Sequence, residues 1–167
     1  MTVLVLGVGH PFRGDDGLGP VVAERVAALA RPDMTALAHH GEGTSLMECW
    51  QGFDTVVVVD ATRSDAPPGT VRCWDAGTEK LPAALFPKSS HVFGLAEAVE
   101  MARLLGRLPP RLTVIGVEGR DFAAGTGLSP EVSAAVDRVV EMACLIPPPD
   151  GPWPLPASNG PRRNGTG

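Results

Sequence analysis

Apolar residues are arranged along this chain in two patterns, and each pattern predicts one kind of secondary structure. Continuous apolar runs rich in β-branched residues predict strands that are covered on both faces, at residues 3–8, 34–38, 54–60 and 112–117. Apolar positions that recur every three or four residues predict helices at residues 20–30, 45–51, 130–144, and from His91 or shortly after it to Leu105. The alternation of strands and helices indicates a parallel sheet.

One further strand is predicted at residues 70–74, where the sequence reads Thr-Val-Arg-Cys-Trp. Only about ten residues separate this strand from Asp60, which is too few for a helical crossover. We therefore expect the strand to run antiparallel to its neighbour, at an edge of the sheet. The complete order βαβαββαβα predicts an α/β three-layer sandwich, in which a mixed, mostly parallel five-stranded sheet has helices on both faces.

Composition divides the 167 residues into a single α/β domain, residues 1–146, and a tail, residues 147–167. The tail contains seven Pro and four Gly and shows no apolar period, so we predict that it is disordered. The length of the first segment is sufficient for one hydrophobic core. A monomer is the default expectation.

Charge and cysteine content exclude several classes of partner and site. With 14 Lys and Arg against 19 Asp and Glu, the chain carries a net charge of −5 and lacks the positive field that nucleic-acid binding requires. Cys49, Cys73 and Cys144 have no CxxC spacing, so neither a disulfide framework nor a thiolate zinc site is expected. The first apolar run is too short for a signal peptide or a membrane span, so we expect a cytoplasmic protein without a membrane partner.

In a parallel α/β sheet, functional side chains gather in the loops that follow the carboxyl ends of the strands. Several acidic and histidine residues occupy such positions in this chain, and we expect them to cluster at one edge of the sheet. These candidates are His10, Asp15, Asp16, His39, His40, Glu42, Asp60, His91 and Glu118.

The glycine-rich loop at residues 7–19 does not match the known nucleotide-binding motifs. A dinucleotide-binding loop requires Gly where Phe12 stands, and a P-loop requires Lys followed by Ser or Thr where Asp15 and Asp16 stand. Two carboxylates would attract a cation or cap the next helix rather than bind phosphate, which disfavours a nucleotide-binding regulator. Gly-x-Ser-x-Gly and His-Glu-x-x-His motifs are also missing, and the neighbours Ser90 and His91 are poorly placed to act as a nucleophile and its base.

Asp16, Asp60 and His91 follow three separate strands or loops and could supply two carboxylate oxygens and one imidazole nitrogen to a divalent ion such as zinc or nickel. Each residue also has a purely structural interpretation. The acid in the first loop could cap a helix, Asp60 could hold the loop that follows its strand, and His91 could be a polar residue in a first helical turn. Residue types and spacing leave both interpretations open.

Five segments of the chain, spread over residues 3–145, resemble the hydrogenase maturation endopeptidases. In order they are Val3-Leu-Val-Leu-Gly-Val-Gly9, Asp15-Asp16-Gly17-x-Gly19, Asp60-Ala61, Ser90-His91-x-x-Gly94-Leu95 and Gly125-x-Gly127-Leu-Ser-Pro130. Members of that family remove a C-terminal extension from the large-subunit precursor of a nickel-iron hydrogenase after nickel insertion. The resemblance implies the same activity and the same precursor as partner, and a twisted sheet between helices.

The resemblance also implies roles for individual residues. Asp16, Asp60 and His91 match the positions at which the family contacts metal, and the divalent metal implied is nickel supplied by the precursor. Either a metal-polarised carbonyl or a carboxylate general base would then promote attack by water, with Asp16 the favoured base of an aspartyl-type protease. The same ligands would equally serve a non-catalytic, nickel-sensing maturation chaperone of this precursor.

Three segments depart from the family pattern. His10 stands where the family has Asn, so it either braces the loop or adds a fourth ligand. Gly41-Glu42-Gly43-Thr44 replaces Asp-Gly-Gly-Thr, which puts substrate specificity in doubt more than catalysis. Residues 118–122, with the loop to Gly127, either face the substrate or form a solvated loop.

Overall fold

The structure is a computed structural model, and it describes residues 2–86 and 93–145. Its sheet contains β1 (Val3–Val8), β2 (Met34–His39), β3 (Thr55–Thr62), β4 (Val71–Asp75) and β5 (Arg111–Glu118), in the order β2-β1-β3-β5-β4. β4 pairs antiparallel with β5, and every other pair is parallel. The expected mixed, mostly parallel sheet with an antiparallel edge strand is confirmed.

Helices cover both faces of the sheet. They are α1 (Leu18–Ala28), α2 (Gly43–Cys49), α3 (Leu95–Leu105) and α4 (Pro130–Cys144), with short 3-10 turns at Gly14–Gly17 and Ala83–Leu85. One buried cluster packs α1 and α4 against the sheet, and a second cluster packs α2 and α3 against its opposite face. This arrangement confirms the three-layer sandwich.

The apolar pattern of β3 explains its central position. Val57 and Val59 pack towards α1 and α4, whereas Val56 and Val58 pack towards α2 and α3, because successive strand side chains point to opposite faces. All eight residues of β3 are buried. A strand covered on both faces excludes water from any polar side chain that it carries, and β3 carries Asp60.

Element boundaries differ from the prediction at two places that matter for function. α1 begins at Leu18, so Pro20 is its third residue, where the absent N–H would have no helical partner. β3 continues to Thr62 because Asp60, Ala61 and Thr62 still pair with β5. Asp60 therefore lies inside the strand rather than at its end.

Two predictions about the rest of the chain have different outcomes. The three cysteines are free, and burial raises the pKa of the Cys73 thiol to about 12, so this cysteine is not a reactive thiolate. Residues 147–167 lie outside the described part, so the disordered tail stays a prediction.

Within residues 2–86 and 93–145, no helix has the length and apolar character needed to cross a membrane.

Candidate functional site

A cavity of about 460 Å³ opens at the carboxyl ends of β1, β2 and β3. Its walls come from the loops after β1 and β2, from β3 itself, and from the start of α3. Seven charged or potentially charged side chains line it: His10, Arg13, Asp16, His40, Glu42, Asp60 and Glu97. The cavity thus lies where the parallel-sheet rule places functional groups, and it contains two of the three predicted site residues.

Asp60 is a buried carboxyl group in an unfavourable environment for charge. Only 6% of the residue is exposed, and burial raises its pKa well above the usual range, with the negative charge of Asp16 raising it further. A hydrogen bond from the Ala61 amide opposes this shift only in part. A carboxyl group in this position either holds a proton or requires a cation nearby.

Asp16 is half-buried in the Gly14–Gly17 turn, and its Oδ2 accepts a hydrogen bond from the His10 amide at 2.8 Å. Gly9, in the same loop, lies against the backbone of Asp16 and has a φ of +143°. A Cβ atom at residue 9 would lie 1.9 Å from the Asp16 carbonyl oxygen, so only glycine fits there. No side chain caps α1, so the helix-cap interpretation of the first-loop aspartates is not the one that the structure adopts.

Asp15, the neighbour of Asp16, points away from the cavity and is completely buried. Its carboxylate accepts hydrogen bonds from the amides of Arg120 at 2.7 Å, Asp121 at 3.0 Å and Ser129 at 2.7 Å, and from the Ser129 hydroxyl at 2.9 Å. Burial opposes ionisation of Asp15, but these donors lower its pKa overall. Asp15 therefore fastens the first loop to the connection between β5 and α4.

Glu118 makes a similar attachment to the residues at the end of β3 and just after it. It is 1% exposed, and its carboxylate accepts hydrogen bonds from the Thr62 hydroxyl at 2.9 Å and from the Ser64 amide and hydroxyl. The interpretation of residues 118–122 as solvated loop is therefore wrong for Glu118. Glu118, and not Asp60, holds the segment that follows β3.

The two histidines at the end of β2, His39 and His40, have separate roles. The Nδ1 atom of His39 accepts a hydrogen bond from the Gly41 amide at 2.8 Å, so the neutral ring carries its proton on Nε2 and donates it to the Ser45 hydroxyl at 2.9 Å. Burial lowers the pKa of His39, and the charge of His40 lowers it further. His39 is thus a buried structural residue, whereas His40 stacks on it and lines the cavity.

Glu42 is the N-cap residue of α2. Its carboxylate accepts hydrogen bonds from the amides of Thr44 at 2.9 Å and Ser45 at 2.8 Å, which lower its pKa. The acid that departs from the family pattern therefore fixes the start of a helix while it faces the cavity.

His10 braces the first loop. Its Nδ1 atom accepts a hydrogen bond from the Phe12 amide at 3.1 Å, which leaves the proton of the neutral ring on Nε2. The lone pair that a metal ion would need is engaged on Nδ1 and absent on Nε2. This geometry favours the bracing role over that of a fourth ligand.

His91 lies outside the described residues. The structure leaves out residues 87–92; Phe86, directly before them, and Gly94, the second described residue after them, both line the cavity. Within the part of the chain that the structure describes, no three His, Cys, Asp or Glu side chains are grouped closely enough to hold a metal ion. The structure thus brings together Asp16 and Asp60, and the complete three-residue site stays a prediction.

Two of the charged residues that line the cavity, Arg13 and Glu97, were not among the candidates from sequence. Arg13 lies in the first loop between His10 and Asp15, and Glu97 lies in the first turn of α3. The only available signal for either residue was its closeness in sequence to the predicted candidates.

Comparisons with known proteins agree on one family. The family model HycI, described as hydrogenase maturation protease, matches residues 21–146, a range that includes Asp60 and His91 and begins after Asp16. The chain is 30% identical over 145 residues to the hydrogenase 2 maturation protease of Escherichia coli K12, covering 84% of this chain and 87% of that protein.

Solved structures give the same result. The hydrogenase maturating endopeptidase HybD from E. coli has a TM-score of 0.71 at 28% identity, over 84% of this chain and 88% of that one. The [NiFe] hydrogenase maturation protease HybD from Thermococcus kodakarensis has a TM-score of 0.66 at 28% identity, over 86% and 97%.

Proposed function

The chain belongs to the hydrogenase maturation protease family, and on that premise we propose that it removes the C-terminal extension of a nickel-iron hydrogenase large-subunit precursor after nickel insertion. It is a hydrolase that cleaves a peptide bond. The unprocessed precursor is both its partner and its substrate, and the nickel ion arrives as part of that substrate.

Asp16 and Asp60 support this function because they line one cavity and repel each other there. Burial and the charge of Asp16 raise the pKa of Asp60. A divalent cation that enters the cavity would therefore reduce the cost of ionising Asp60 beside Asp16. Carboxylate oxygens with an imidazole nitrogen suit a divalent transition metal such as nickel. Asp16, Asp60 and the third proposed ligand, His91, would therefore select a precursor that carries nickel over one that does not.

Hydrolysis requires a base that can reach both water and the scissile bond. Asp16 suits this role because it is half-exposed and its Oδ2 is held by the His10 amide at 2.8 Å. Water would add to the carbonyl carbon and give a proton to Asp16, and the C–N bond would break as the amine takes up that proton. Binding of the precursor at the cavity would align its scissile bond with this base.

Incubation of the purified chain with nickel-loaded and nickel-free precursor tests the proposal. We expect a mass loss at the precursor's C-terminus only with the loaded form, abolished by Asp16→Asn, Asp60→Asn or His91→Ala. Asp65→Asn is a matched control, because Asp65 is exposed and does not line the cavity. Equal cleavage by Asp16→Asn or His91→Ala would remove that residue from the site.

The non-catalytic chaperone is the second candidate, since it would use the same ligands. It predicts stable binding of the loaded precursor without any loss of mass. We also propose that the protein acts as a monomer in the cytoplasm, which light scattering and cell fractionation test directly.

A further inference from the structure

β2 is an edge strand without the usual protection against pairing. Among the described residues, the only strand that pairs with β2 is β1. The sequence of β2, Met-Thr-Ala-Leu-Ala-His, contains no Lys, Arg, Asp, Glu, Pro or Gly, whereas the opposite edge strand, β4, carries Arg72 and Asp75. Exposed edges are normally blunted by charge, proline or a bulge, so the uncharged outer side of β2 is suited to a partner strand.

The backbone groups that point outward from β2 can be identified. In parallel strands, the N–H and C=O of one residue point to the same side, and the side alternates along the strand. The carbonyls of Asp33 and His39 accept hydrogen bonds from the amides of Val3 and Gly9. The backbone N–H and C=O groups of the odd-numbered residues of β2 therefore point towards β1. Ala36 and Ala38 therefore direct both of their backbone groups to the free edge.

The free edge continues into the wall of the cavity. β2 ends at His39, and the next three residues, 40–42, line the cavity together with Asp60. A strand added outside β2 would be three strand spacings from β3, or about 14 Å. At about 3.3 Å per residue, four or five residues of extended chain would cover that distance.

We propose that an extended segment of the precursor, four or five residues from the scissile bond, pairs with the outer edge of β2 as a sixth strand. This inference rests on the proposed function and names the surface that holds the peptide substrate. Backbone pairing would supply affinity, and the half-exposed Leu37 side chain, beside the edge, would contact an apolar residue of the segment. The chain's own tail is a poor occupant, because seven of its 21 residues are Pro and lack the amide.

Kinetics on nickel-loaded precursor tests the edge separately from the function. We expect Leu37→Lys to raise KM about fivefold with kcat unchanged, because the charge blocks strand addition away from the chemistry. Leu104→Lys is the matched control, since Leu104 is an exposed leucine on α3 and not on the sheet, and we expect its KM to stay at the wild-type value. If wild type does not cleave, the proposed function fails; if wild type cleaves and Leu37→Lys has an unchanged KM, the edge proposal fails.

Removal of a single outward amide gives a second test. Ala38→Pro deletes an N–H that faces away from β1, so we expect a folded protein with KM raised about fivefold, the effect of one lost hydrogen bond.

Hydrogen exchange resolved to single amides gives a readout that does not depend on any substitution at β2. In the complex of Asp60→Asn with loaded precursor, Ala36 and Ala38 should gain protection, while residues 35 and 37 should change little because their amides already bond to β1. Uniform protection, or none, would overturn strand pairing. Protection of Ala36 and Ala38 in the free chain would also overturn it, and a doubled mass in light scattering would then identify a second copy as the occupant.

Discussion

Two neighbouring regions of this molecule each contain a buried aspartate, and the pKa of the carboxyl group is shifted in opposite directions in the two regions. At the junction of the first loop with the β5–α4 connection, Asp15 is completely buried and accepts four hydrogen bonds, and its pKa is lowered. In the cavity, Asp60 is almost as deeply buried but faces Asp16, and its pKa is raised. Burial is common to both, so the number of donors and the neighbouring charge decide the outcome.

The comparison separates a stabilising region from a functional one. A carboxylate surrounded by amides stabilises the fold, and its removal leaves those amides without acceptors. A carboxyl group held beside another acid contributes little to the free energy of unfolding, and such an environment is typical of catalytic and binding sites. Each prediction below tests whether a residue belongs to the region to which the structure assigns it.

Replacement of the cavity carboxylates should have the largest effect on activity. We expect Asp60→Asn and Asp16→Asn to lower precursor processing about 10³-fold or more, with the unfolding free energy of Asp60→Asn equal to or above that of wild type. Cleavage assays with urea denaturation measure both quantities. A marked loss of stability in Asp60→Asn, with activity preserved, would reverse the assignment.

Replacement of Asp15 should have the largest effect on stability. We expect Asp15→Ala to lower the free energy of unfolding by about 3 kcal/mol, because four donors, two in buried and two in part-buried hydrogen bonds, lose their acceptor. Urea denaturation at neutral pH measures the change. Asp137→Ala is the control: Asp137 forms an exposed ion pair with Arg25, so its loss should change the unfolding free energy by less than about 1 kcal/mol.

The pH dependence of stability should have opposite signs in the two regions. The lowered pKa of Asp15 stabilises the fold above the ordinary carboxyl pKa of about 4, and this stabilisation is lost as pH falls through the lowered pKa. The raised pKa of Asp60 acts in the opposite sense: its contribution is complete below about pH 4 and is lost as pH rises through the raised pKa.

Urea midpoints between pH 3 and 8 for wild type, Asp15→Asn and Asp60→Asn measure both contributions. We expect Asp15→Asn to be less stable than wild type at pH 7, with a difference that shrinks towards pH 3. Asp60→Asn should match or exceed wild type at pH 7 and lose any advantage at pH 3. Differences of the same sign in both variants would contradict the comparison.

The smallest effect is expected at His10, which lines the cavity and braces the first loop. His10→Asn should change processing less than about threefold, because an Asn carbonyl can accept the Phe12 amide in place of Nδ1. His10→Ala, which offers no acceptor, should reduce both stability and processing more than Asn does. A large loss of activity in His10→Asn, with stability intact, would indicate a metal ligand instead.

Much of the fold follows from the hydrophobic pattern. The valine run of β3 predicts a buried strand, and the short connection before β4 predicts an antiparallel edge strand. The end of β3 could not be predicted, because the last two residues of that strand, Ala61 and Thr62, are strand only through their pairing with β5, more than 50 residues away. Local sequence carries no record of that pairing.

The functional site was likewise predicted only in part from the sequence. The rule for parallel sheets and the family resemblance both point to Asp16 and Asp60, and the structure brings these residues to one cavity. The difference between Asp15 and Asp16 could not be predicted, since it depends on amides 105 to 114 residues further along the chain. The structural role of Glu118 could not be predicted for the same reason, because its partners Thr62 and Ser64 lie 56 and 54 residues earlier in the chain.

The attachment of the first loop to residues 119–129 has a consequence for protein engineering. Four hydrogen bonds to Asp15, with further backbone bonds from Gly14 to Thr126 and from Gly125 to Phe12, make the two loops a single mechanical unit. A chimaera that takes only one of the two loops from a relative would mismatch the hydrogen-bond donors and acceptors between the loops. Libraries intended to retarget the enzyme should therefore exchange both loops together.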